Sequence, residues 1–192
     1  MKIKKIAILF SGIGTNLENI VRTLHNREFF DFKIEVCVAI TNNPTALGIE
    51  KAKEHGVEVV VLNHKEFCDR ESFDKELVKV IKSFDVDLTI LAGFMRILTP
   101  VFIENVKAIN IHPSILPLFK GANAIVESYN SNMKIAGVTI HEVSLELDSG
   151  KILAQQCIQK IENESFESFK QRVHELEREM YPKAILDYLV KL

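Results

Sequence analysis

Cysteine is scarce in this chain. Cys37, Cys68 and Cys157 are the only three, they lie far apart, and no two form a CxxC pair. That argues against a disulfide framework and a zinc site, and it suits a reducing cytoplasm. Cys37 and Cys157 sit in apolar runs and read as small core residues, whereas Cys68 lies among polar ones. Apolar runs long enough to span a bilayer are missing as well. Met1-Lys2-Ile3-Lys4-Lys5 is basic and precedes an apolar stretch, as a signal peptide does. Ile6 to Phe10 is short, however, and runs straight into Ser11-Gly12-Ile13-Gly14. A first buried strand and its turn fit better, and the expected location is cytoplasmic. No one sign of charge dominates. A formal net charge of −2 offers no broad field for nucleic acid or an anionic membrane. An anionic ligand must then be held locally, by backbone amides or a few placed cations. With no repeats, low-complexity stretches or linkers, 192 residues read as one domain.

What is present is an alternation of strand-like and helical runs. Strands are expected at residues 3–10, 33–40, 57–62, 88–92 and 106–111, and helices at 16–27, 46–55, 66–83 and 101–105. Thr99-Pro100 supplies the cap and first residue of the last of these. Buried runs separated by helices predict an α/β fold, a Rossmann-like, mostly parallel twisted sheet with helices on both faces. The second part differs. Residues 135–143 and 151–158 read as strands joined across the turn-rich Leu147-Asp148-Ser149-Gly150, and so short a connection predicts an antiparallel pair. An amphipathic helix from Ser165 to about Leu189 follows, in which Pro182 should mark a kink or a helix junction. The division falls into a nucleotide-binding-like half, 1–111, and a second half, 112–192.

Two motifs carry chemistry. Ser11-Gly12-Ile13-Gly14-Thr15-Asn16-Leu17-Glu18 joins the first strand to the first helix, where glycines permit close backbone approach and helix-terminal amides bind anions. Thr15 with Glu18 also fits a capping box, so part of the pattern is simply a helix start. A dinucleotide fingerprint would want glycine where Leu17 stands and an acidic residue ending the second strand, which instead reads Ala39-Ile40-Thr41-Asn42; a single phosphate fits better than a pyrophosphate. The second motif is Asn110-Ile111-His112-Pro113-Ser114, with Asp148 further on. Residues two apart on a strand share a face, so Asn110 and His112 point the same way. An amide, an imidazole and a carboxylate can polarise a carbonyl, move a proton and hold the proton carrier. The bland reading is a satisfied pair of core side chains.

In this order, these motifs together with Leu91-Ala92-Gly93-Phe94-Met95-Arg96-Ile97-Leu98, Ile115-Leu116-Pro117, Gly137-Val138-Thr139-Ile140-His141 and Glu146-Leu147-Asp148-Ser149-Gly150 resemble the folate-dependent formyltransferases. Within them the similarity is to the branch that formylates glycinamide ribonucleotide in purine biosynthesis. The resemblance implies a single domain with the formyltransferase fold, its second half serving folate and catalysis. It implies transfer of a formyl group from 10-formyltetrahydrofolate, a co-substrate, to the ribonucleotide amine. Asn110 would donate to the developing oxyanion, His112 would stabilise that charge and shuttle a proton, and Asp148 would hold the imidazole or a relay water. Gly14, Thr15, Asn16 and Glu177 match ribonucleotide contacts. Met95, Arg96, Ile97 and Leu98, with Asn110, Leu145, Glu146 and Leu147, match the folate pocket, and Arg70 the region of the folate tail. The implied partners are these two small molecules, with no metal, nucleic acid or membrane, on a monomer or weak homodimer.

The resemblance breaks after Pro117. The family commonly has a loop with two histidines there, and this chain reads Phe119-Lys120-Gly121-Ala122-Asn123-Ala124-Ile125, closer to the methionyl-tRNA formyltransferase branch. That branch would bring a further C-terminal domain and a basic surface. A formyltetrahydrofolate hydrolase, with water as acceptor, is the alternative function; such enzymes carry an added N-terminal regulatory domain, whereas the first strand here begins at residue 3. Thr139 and His141 are expected to support the site rather than react. His25, His55, His64 and His174 read as solvated surface groups, too scattered for a metal. Without the resemblance, Arg70 and Glu177 read as helix-face ion pairs, and Arg96 as either a pocket wall or a surface pair.

Overall fold

Ile6 to Phe10 are completely buried, as expected of a central parallel strand whose edges are paired with neighbouring strands and whose faces are covered by packed elements. They form most of β1 (Lys2–Phe10) in a computed structural model that describes residues 1–192. The chain continues through α1 (Thr15–Leu24), β2 (Glu28–Phe29), β3 (Phe32–Thr41), α2 (Gly48–Glu54), β4 (Val59–Val61), α3 (Arg70–Ser83), β5 (Leu88–Leu91) and α4 (Pro100–Ile103). Then come β6 (Ala108–His112), α5 (Ala124–Asn130), β7 (Ile135–Glu142), β8 (Ile152–Gln159) and α6 (Phe166–Val190). Two compact units result, Met1–Ile109 and Asn110–Leu192.

In the first unit β1 lies between β3 and β5, parallel to both, and β4 is parallel to β3. The two-residue β2 adds an antiparallel edge. Leu17, Ile20, Ile34, Val38, Phe73, Leu77 and Ile90 fill the core with β1. In the second unit the strand order is β6-β7-β8, with β7 and β8 antiparallel. Helix α6 packs on both of those strands and on α5, burying Phe169, Val173, Tyr181, Ile185 and Leu189. The α/β fold, its parallel first half and its antiparallel later pair are as the alternation of runs predicts.

Several local expectations are corrected. The Thr15–Glu18 capping box does not form. Gly14, left-handed at φ 75°, is the N-cap and no side chain caps the helix, while the Glu18 carboxylate takes the Lys51 ammonium at 2.7 Å instead. Helix α1 ends at Leu24 rather than Arg27. Asn26 turns left-handed at φ 59° and its amide joins Ile34 O, starting a hairpin that sequence periodicity did not reveal. Helix α3 starts at Arg70, not Glu66, because Asp69 and Ser72 cap each other's backbone there. Helix α5 was not expected at all. Pro182 marks no junction, since α6 is continuous through it. Cys157 is exposed rather than in the core: it lies on β8, the end strand, most of which is open to solvent.

Candidate active site

Strand β6 ends with Asn110 half-buried and His112 buried. Asp148 reaches the same place from a turn, buried and held left-handed at φ 51°. Its Oδ2 lies 3.5 Å from His112 Nδ1 and accepts the Gly121 amide at 2.8 Å. Its Oδ1 lies 3.6 Å from Nε2 of His141, a buried residue of β7. The carboxylate thus stands between two imidazoles, near both but beyond ordinary hydrogen-bond length. Such contacts are often long in a free enzyme and tighten once substrate is bound.

The other nitrogen of each ring meets a backbone carbonyl. His112 Nε2 donates to Phe119 O at 2.8 Å, because a carbonyl oxygen only accepts. Nδ1 is left as the nitrogen facing Asp148. His141 Nδ1 meets Glu142 O at 2.9 Å, and its Nε2, besides facing Asp148, lies 3.3 Å from Asn110 Nδ2. Asn110 keeps a second N–H for another acceptor. Burial pushes the Asp148 carboxyl up, but the His141 ring, the Gly121 amide and the nearby His112 together outweigh it and hold the group below its ordinary value.

Beneath this cluster, buried Thr139 braces the segment after β6. Its hydroxyl donates to Ser114 O at 2.7 Å and accepts from the Leu116 amide at 3.0 Å and from Gln155 Nε2 at 2.9 Å. Leu145, Glu146 and Leu147, before Asp148, are exposed, an apolar pair open to a ligand. Glu177 is buried on α6 and accepts from His174 at 2.7 Å. His174 is therefore paired, contrary to its reading as a solvated group.

The first unit holds the glycine loop and the Met95–Leu98 strip. Gly14 is buried, Thr15 exposed and Asn16 half-buried at the start of α1, where the first helical amides have no intrahelical acceptor. Ser11 ties this loop to the strip, as its hydroxyl donates to Asn42 Oδ1 at 2.5 Å and accepts the Met95 amide at 2.8 Å. Met95 and Ile97 are exposed apolar side chains, and Leu98 is half-buried. Arg96 makes no ion pair; its guanidinium lies over the Phe73 ring, 5.1 Å from the centroid. Arg70 is exposed on the first residue of α3. Two more histidines depart from the surface reading. His25 Nδ1 accepts the Val36 amide, and His64 Nδ1 bonds to Asn42 O. No group of three or more histidine, cysteine or acidic residues is placed to hold a metal ion.

Asn110, His112 and Asp148 thus come together, with His141 among them. The contacts that sequence reasoning missed are the Phe119 carbonyl and the Gly121 amide. Backbone groups have no residue type to read, and the only available signal was the departure of this loop from the family pattern.

An amide, two imidazoles and a buried carboxylate suit acyl transfer, and the comparisons agree. A formyl transferase family model matches residues 4–185, through both units, and the chain belongs to that family. It is 32% identical over 188 residues to phosphoribosylglycinamide formyltransferase of Bacillus subtilis (strain 168), covering 97% of this chain and 95% of that protein. It is 36% identical over 183 residues to the trifunctional purine biosynthetic protein adenosine-3 of Gallus gallus, but spans only 18% of that protein's length. Its fold matches the crystal structure of phosphoribosylglycinamide formyltransferase from Campylobacter jejuni subsp. jejuni NCTC 11168, with TM-score 0.95, 50% identity, and 97% and 98% of the two chains covered.

Proposed function

We propose that this chain transfers the formyl group of 10-formyltetrahydrofolate to the amine of glycinamide ribonucleotide. The observation that carries the reading is the placement of Asp148 between His112 and His141, with the Asn110 amide beside them. In the reaction the amine nitrogen bonds to the formyl carbon, the bond from that carbon to the folate nitrogen breaks, and a proton passes from the first nitrogen to the second. The spare N–H of Asn110 stabilises the oxyanion formed on the way, an effect worth a few kcal/mol in comparable sites. His112 carries the proton through Nδ1, the nitrogen not engaged by Phe119 O, and Asp148 stabilises the charged ring.

Gly14, Thr15 and Asn16 hold the ribonucleotide phosphate at the start of α1, and Glu177 contacts the same substrate. The strip Met95–Leu98, with Asn110 and residues Leu145, Glu146 and Leu147, takes the folate, and Arg70 attracts the carboxylates of its tail. Exposed apolar side chains at Met95, Ile97, Leu145 and Leu147 support the assignment, since a flat heterocycle binds largely by covering such groups. The reaction belongs to purine biosynthesis, and we place it in the cytoplasm. No helix of the protein is long and apolar enough to cross a membrane.

The test is to supply 10-formyltetrahydrofolate with and without glycinamide ribonucleotide and follow folate release by absorbance. Release that needs the ribonucleotide is expected. Equal release in its absence would overturn the transferase reading in favour of hydrolysis.

A further inference from the structure

Three successive residues of the loop after Pro117 each bind the machinery or its turn. Phe119 O receives His112 Nε2, and the Gly121 amide donates to Asp148 Oδ2. Between them, Lys120 Nζ donates to Glu146 Oε1 at 3.0 Å and to the Ser149 hydroxyl. Glu146 and Ser149 bracket Leu147-Asp148, so one ammonium grips both sides of the turn that carries the carboxylate.

Both segments need holding. Phe119 and Asp148 are left-handed at φ 56° and 51°, a conformation that non-glycine residues keep only where their surroundings enforce it. Gly121 follows at φ 85°. Alternating the chain in this way aims a carbonyl and an amide at the site while the intervening side chain reaches the turn. The bland alternative is a solvated ion pair with no consequence. Lys53–Glu50 and Lys79–Glu76 are pairs of that kind, each three residues apart on one helix. The Lys120 contacts instead join positions 26 and 29 residues apart in the chain, and no helix would hold those positions together without them.

We propose that Lys120 is a positioning residue, which pins the 119–121 loop to the 146–149 turn and so keeps the Phe119 carbonyl on His112 and the Gly121 amide on Asp148. This rests on the formyl-transfer reading for its catalytic consequence, but not for its structural one. Loss of the clamp lets the loop drift. Asp148, faced by His112 from β6 and His141 from β7, then loses a backbone donor that favours its anion.

Lys120→Ala and Lys120→Arg test this. In Lys120→Ala kcat should fall by about ten- to a hundredfold, the scale of misplacing a catalytic group, while KM for the ribonucleotide stays near wild type. The Asp148 titration, followed by carboxyl carbon NMR on the free protein, should move upward, and the acid limb of the kcat profile with it. Lys120→Arg should restore both, because a guanidinium can span the same carboxylate and hydroxyl. An unmoved Asp148 titration in Lys120→Ala would overturn the proposal, as would a loss that Arg fails to repair. A wild-type protein without formyl transfer, but with the Ala shift and the Arg rescue, would leave the clamp standing and overturn only the reaction.

Discussion

Asp148 is ionised while buried, and both its chemistry and its pH response follow from that. Replacing it with Asn keeps the shape but removes the charge that stabilises a protonated His112. Asp148→Asn should lower kcat by roughly a hundredfold or more, and near-wild-type turnover would remove the residue from the mechanism. The same group links stability to acid. Its native pKa lies below the ordinary 3.8, so its contribution is complete above that value and is lost as pH falls through the lower native one. Thermal midpoints of wild type and Asp148→Asn, measured from neutral pH downwards, should therefore converge below about pH 4. A gap that stays constant through that range would contradict the linkage. The cysteines show what sequence reasoning reads well and badly at this scale. Cys37 donates to Ile6 O, and burial pushes its thiol up to about 11, while Cys68 and Cys157 are exposed. Brief alkylation at neutral pH, read by peptide mass spectrometry, should modify Cys68 and Cys157 and spare Cys37; rapid labelling of Cys37 would refute this. Cys157 stands between Gln156 and Ile158, with Gln155 and Gln159 just beyond, a run more polar than a core reading allows, and composition alone does not reveal that a strand has no outer partner. Asn110, His112 and Asp148 were legible because strand alternation and family spacing both act through side chains.

The first βα connection is built on a contact between two glycines. A methyl group on Gly14 would stand 2.6 Å from the Gly48 Cα, and Gly14 also holds φ 75°. Neither obstacle is a flexible side-chain tip, so the backbone itself must shift. Gly14→Ala should part α1 from α2, lower stability by about 1–3 kcal/mol, and raise KM for the ribonucleotide more than KM for folate. A variant with an unchanged ribonucleotide KM would show that the loop does not hold that substrate. Elements of this kind were largely readable. Long buried runs at β1, β3 and β5 and the start of α4 at Pro100 appear where periodicity and capping rules put them. What failed was termini and competition among polar groups. The apparent Thr15–Glu18 box lost Glu18 to Lys51, a residue 33 positions away, and no local pattern can register so distant a partner. Helix α5 escaped because Ile125, Val126, Ser128, Tyr129 and Asn130 are all weak helix formers.

For the molecule as a whole, a bound substrate should appear as added stability. A ligand that binds only the folded chain stabilises it by about 2.7 kcal/mol at a hundred times its Kd. For a protein of 192 residues, each kcal/mol corresponds to about 2–4 °C, so glycinamide ribonucleotide at that level should raise the thermal midpoint by about 5–10 °C. The formal net charge of −2 gives no general attraction for phosphate, so the gain must come from particular groups. Asn16→Ala should accordingly shrink the shift at the same ligand concentration, with little change in the midpoint of the free protein, because Asn16 is half-buried at a helix start rather than in the core. Inorganic phosphate should reproduce only part of the shift, since Glu177 and the Asn110–His112–Asp148 cluster would contribute nothing to it. If phosphate alone gave the full effect, the glycine loop would be a general anion site. If the ribonucleotide gave none at saturating concentration, the substrate assignment would fall while membership of the formyl transferase family stood.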